Sequence, residues 1–115
     1  MADYDYDVDV EPIHGSGAKD AARLCNFIEG KANLLPAHIC WLKANVAPVV
    51  RSQKNSWVDL WGFASKKGNE ISNQILSENR CKSVKSEVAT YANQVNFNIN
   101  KALGEARSEG SEDDN

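Results

Sequence analysis

The sequence predicts an all-α fold: a small bundle of about four helices, the last two a long antiparallel hairpin, between acidic flexible N- and C-terminal tails. Three observations predict it. Apolar residues recur at spacings of three and four along most of the chain, the periodicity of a helix face. No proline interrupts residues 49–115. The 115 residues are 42% hydrophobic and 25% charged, a globular balance on a length that builds one core. The chain divides into an acidic alternating arm (1–13), a helical domain (14–104) and an acidic disordered tail (105–115).

The arm carries Asp3, Asp5, Asp7, Asp9 and Glu11 with no basic residue. From Asp3 to Glu11 it alternates strictly, so an extended backbone would set every acid on one face and Tyr4, Tyr6, Val8 and Val10 on the other. A purely solvating tail needs no such order. These four residues are a candidate partner-binding arm, suited to adding a strand to a sheet edge or to lying across the basic body of its own or a neighbouring subunit. Counted from Asp3 or Asp5, the aspartates lack the glycine and glutamate of a helix-loop-helix calcium loop.

Helix one is expected over about 18–30, capped by Ser16 and started by the alanine-rich run Ala18 to Leu24. Ala21, Leu24, Cys25 and Ile28 form its face. Pro36 suits the first turn of helix two, whose stripe is Ile39, Leu42, Val46 and Val49, with Pro48 ending or kinking it near 47. Ser56 and Asp59 approximate a capping box for helix three, with Trp57, Trp61, Ala64, Gly68, Ile71 and Ile75 as its stripe. Val84, Val88, Tyr91, Val95, Ile99 and Ala102 form helix four. Helices three and four either turn near Asn79 or run on as one rod, and burying both stripes in a short chain favours the hairpin. Residues 95–100 also alternate with period two, so Phe97 is either part of a strand or an exposed aromatic on a helix, the helix being favoured by its flanks.

Between the acidic ends, residues 12–104 hold twelve of the 13 basic residues against six acids, a net of +6. Arg51, Lys54, Lys66, Lys67, Arg80, Lys82 and Lys85 are the candidate anion or nucleic-acid contacts, with Trp57 and Trp61 close by to stack bases. A solvated face is the ordinary alternative for such lysines, and the core is the ordinary place for Trp41, Trp57 and Trp61.

Catalytic chemistry is thin. Cys25, Cys40 and Cys81 with His38 lack zinc-site spacing and read as reduced, buried structural thiols. His14-Gly15-Ser16-Gly17 lacks the spacing and lysine of a phosphate loop and reads as a linker. No catalytic residue, metal or cofactor is expected. No apolar run reaches the roughly 18 residues of a membrane span, and the acidic start is the opposite of a signal peptide, so a soluble cytoplasmic protein is expected. The function expected is a non-catalytic assembly or adaptor protein working through protein–protein contacts and self-association, a homo-oligomer. The alternatives are a nucleic-acid-binding coat or nucleoid component, and a small inhibitor or regulator of another macromolecule.

Overall fold

The computed structural model describes residues 6–15, 17–63 and 70–101. They form a mixed α/β fold, not an all-α four-helix bundle. In order come strands β1 (Val10–Pro12) and β2 (Ala22–Leu24), helix α1 (Pro36–Trp41), a π turn (Leu42–Val46), helix α2 (Ala47–Ser52), strand β3 (Ser56–Gly62), helix α3 (Glu70–Ala89) and strand β4 (Val95–Lys101).

Residues 18–30 are not helical. β2 lies inside that range and pairs antiparallel with β1, Val10 opposite Leu24 and Pro12 opposite Ala22. Asn26 closes this region with a left-handed backbone, φ 63°, which asparagine tolerates. Its amide donates to the Tyr6 carbonyl at 3.0 Å and to Asp9 Oδ1 at 2.8 Å, while its Oδ1 accepts the Tyr6 N–H at 2.8 Å. The pairing draws backbone donors and acceptors from two segments, and it overrides the modest helix preference of the alanines.

Pro36 begins α1 as expected, but Pro48 does not end the helix. A proline in a helix interior removes a donor and crowds the carbonyl four residues back. One extra residue in the turn relieves both effects, since Ala47 N–H reaches the Leu42 carbonyl, five residues back. Asn45 Nδ2 donates to the Trp41 carbonyl at 3.0 Å. Helical backbone therefore runs without a break from Pro36 to Ser52.

The stripe assigned to helix three divides between a strand and a helix. Residues 56–62 are β3, rich in aromatic and branched side chains, and α3 passes straight through Asn79 with no turn there. The segment assigned to helix four begins inside α3, which ends at Ala89, and residues 95–101 are a strand. β3 and β4 pair in parallel through all seven positions, from Ser56 opposite Val95 to Gly62 opposite Lys101, with α3 as the crossover. Val58, Leu60, Val95 and Phe97 pack on Leu42, Ala47, Val50, Val84 and Val88, which makes one core beneath the ribbon. α3 crosses β3 at Gly62, where an added Cβ would strike the Ser77 carbonyl and lie 2.9 Å from Cys81 Sγ.

Candidate docking surface

Alternation along β3 and β4 turns Ser56, Val58, Leu60 and Gly62, with Val95, Phe97 and Ile99, toward the helices. The same alternation turns Trp57, Asp59 and Trp61, with Asn96, Asn98 and Asn100, the other way. No described element covers that outer face. Trp57 is 68% exposed and Trp61 62% exposed. The expectation that they are core is corrected, because a strand, unlike a helix, leaves their side outside the core. Asn96 Nδ2 donates to the Ser56 carbonyl at 3.3 Å and Asn100 Nδ2 to the Leu60 carbonyl at 3.4 Å, so two asparagines brace the ribbon. Asp59 is the one charged side chain among these six outward residues.

Phe97 is not an exposed aromatic. It is half-buried against the core, with the Lys85 ammonium 5.7 Å from its ring centre.

The basic residues named from sequence do not gather into one anion site. Arg80 is buried, donating from Nε to the Lys31 carbonyl at 2.9 Å, from Nη1 to Phe63 at 3.2 Å and from Nη2 to Ile28 at 3.4 Å. Its guanidinium lies 4.8 Å from the centre of the Phe27 ring. Lys82 and Lys85 share α3 but are exposed on its other side, and Lys82 meets Glu78 at 3.4 Å. Arg51 donates from Nε to the Tyr91 carbonyl at 3.1 Å, tying α2 to the end of α3. Lys54 is exposed in the turn before β3. Lys66 and Lys67 lie outside the described residues.

Of the arm, Tyr4 lies outside the described residues and Val8 is exposed, while Tyr6 and Val10 are half-buried on the chain's own residues 22–26. Arg23 reaches back across this pair to Glu11 at 2.5 Å. The acidic tail, 105–115, lies outside the described residues.

Cys25 and Cys81 are buried, whereas Cys40 is exposed, against expectation. Burial first, then the nearby Glu78 carboxylate, raises the Cys81 thiol to about 11. His38 is buried as a neutral ring: Nδ1 accepts the Leu35 N–H at 3.0 Å, and Nε2 donates to the Cys25 carbonyl at 2.7 Å. Desolvation lowers its pKa, opposed by the Cys25 carbonyl and by Asp9. Among the described residues no cluster of metal-ligating side chains occurs, and no helix is long and apolar enough to cross a membrane.

Sequence reasoning missed the outward Trp57–Asp59–Trp61 row, although the period-two pattern of Val58 and Leu60 beside it was a usable signal. No protein-family model matches the chain, and no curated protein matches it.

Proposed function

We propose that this chain is a non-catalytic assembly or adaptor domain that holds other polypeptides, its own copies among them, on the outer face of the β3–β4 ribbon. One observation carries this reading: Trp57 and Trp61 stand more than three-fifths exposed on a sheet face that nothing in the described chain covers. Parallel strands ordinarily have both faces covered, and a two-stranded sheet alone is marginally stable in water. Contiguous exposed apolar surface on a small protein marks a contact site. Two indoles supply large contact area at little cost in side-chain freedom, while the asparagines and Asp59 supply polar pairing between them. Support for nucleic-acid binding is weaker, because Arg80 is committed to three carbonyls and Arg51 to one.

The test is light scattering of the full chain over a wide concentration range, beside Trp57→Ser/Trp61→Ser. Concentration-dependent mass in the native chain, lost in the double variant with its circular dichroism unchanged, is the expected result. A native chain that stays monomeric throughout, and a double variant indistinguishable from it, would remove the basis of the reading.

A further inference from the structure

A cleft of about 650 Å³ separates the two small sheets, within the volume range of ligand-holding clefts. Among the described residues β2 pairs only with β1, and β3 only with β4. All of β2 and all of β3 line the cleft, while no residue of β1 or β4 does. β2 and β3, each with an edge unpaired among the described residues, therefore both border it. Its floor includes Leu42, Val46, Val50, Val84 and Val88, all apolar. At one end the walls converge on Arg80, whose guanidinium holds the Ile28 carbonyl, four residues past β2, and the Phe63 carbonyl, one residue past β3.

We infer that this cleft is an acceptor for one extended segment of another polypeptide, inserted as a strand between β2 and β3 and carrying a lysine or arginine against Asp59. The inference rests on the adaptor reading above and names a chemistry for the partner. Two unpaired strand edges bordering an apolar floor offer ladder hydrogen bonds and burial below, the requirements of strand addition. The seven residues of β3 give an edge of roughly 23 Å at about 3.3 Å per residue. Alternation then fixes the occupant: aliphatic side chains at every second position enter the floor beside Val58 and Leu60, and the intervening ones rise beside Trp57, Asp59 and Trp61. Asp59 presents the carboxylate on that side. Of the other charged residues that line the cleft, Arg23 is already turned to Glu11, Arg80 is held by carbonyls, and Lys19 is offset by its neighbour Asp20, which leaves Asp59 as the carboxylate an inserted cation meets. The chain's own leader does not fit this description. With Tyr6, Val8 and Val10 turned to the floor, its aspartates would stand against Asp59.

The experiment titrates the full chain with three synthetic heptapeptides, capped at both ends, and follows tryptophan fluorescence and calorimetric heat. The first alternates valine and threonine around a central lysine. The second replaces the lysine by glutamate, and the third keeps the lysine but has every backbone amide methylated, which blocks the donors on both edges. The lysine peptide is expected to bind roughly tenfold more tightly than its glutamate twin, and the methylated peptide, with its ladder donors blocked, not at all. Asp59→Lys is expected to reverse the preference and Asp59→Asn to erase it. Equal binding of the lysine and glutamate peptides, or binding that survives methylation, overturns the inference. So does absence of lysine-peptide binding in a chain whose self-association still depends on Trp57 and Trp61, a result that leaves the adaptor reading standing.

Discussion

Replacing Arg80 by methionine separates a structural cation from an anion-binding one. Methionine keeps an unbranched apolar stem over Phe27 and removes every guanidinium donor. Arg80 is 7% exposed, and its donors meet three carbonyls of two separate segments, the Ile28–Lys31 turn and Phe63, at 2.9, 3.2 and 3.4 Å. A hydrogen bond from a charged donor is worth about 1.5–3 kcal/mol, and the 3.4 Å bond is long enough to count for little. Two well-formed bonds lost, less the desolvation recovered when a buried charge is deleted, put the cost near 3 kcal/mol. That is a large part of the roughly 5–15 kcal/mol expected of a domain, and it lowers the melting temperature by about 10–20 °C. Urea unfolding followed by circular dichroism reads it as a fall in midpoint with an unchanged slope. Lysine at position 80 recovers little, because one ammonium cannot span three carbonyls set around a planar fork. Lys82→Met on the exposed side of α3 is the control and stays within about 0.5 kcal/mol of the native chain. An Arg80→Met variant as stable as the Lys82→Met control would refute the reasoning and return Arg80 to the surface cations.

Two further outcomes follow from close contacts in the core. Gly62→Ala forces a Cβ against the Ser77 carbonyl, which belongs to helix backbone and has no flexible end to yield, so urea denaturation is expected to show a loss of about 2–3 kcal/mol. A loss under about 0.5 kcal/mol would mean that α3 does not sit on β3 at this point. Acidification is expected to destabilise the fold through His38. Above its ordinary value of 6.5 the ring is neutral folded or unfolded; as pH falls through 6.5 the unfolded chain takes up the proton first, and stability drops until the lowered folded value is reached. The drop cannot exceed about 1.4 kcal/mol per pH unit, and comparing midpoints of the native chain and His38→Gln from pH 7.5 to 5 isolates it from the carboxylates. Identical pH slopes in the two would show that the ring does not titrate as described.

Several features were legible in the sequence because they are local. Pro36 announced the start of α1, and Val84 and Val88 lie on the inner side of α3 as their spacing required. The alternation of the leader and of residues 95–100 was visible, and both segments contain strands. The helix chosen for 95–100 failed because its supposed helical flank ends at Ala89. Trp57 and Trp61 misled for a geometric reason: a spacing of four brings two residues to one side in a helix and in a strand alike, so it does not discriminate between them.

The sequence by itself determined composition, the three charge blocks, and the places where backbone chemistry permits a helix to begin or an extended segment to form. Only the tertiary structure decided which segments pair, that Pro48 is absorbed by a π turn, that Arg80 turns inward while Lys82 and Lys85 do not, and that two tryptophans face outward. Those outcomes depend on partners far along the chain: β3 becomes a strand because β4 lies beside it, and Arg80 is buried because Ile28, Lys31 and Phe63 bring carbonyls to it. Local propensities differ by less than about 1 kcal/mol per residue, whereas a strand paired along seven positions and packed on a core sums many such terms, so the distant contacts prevail.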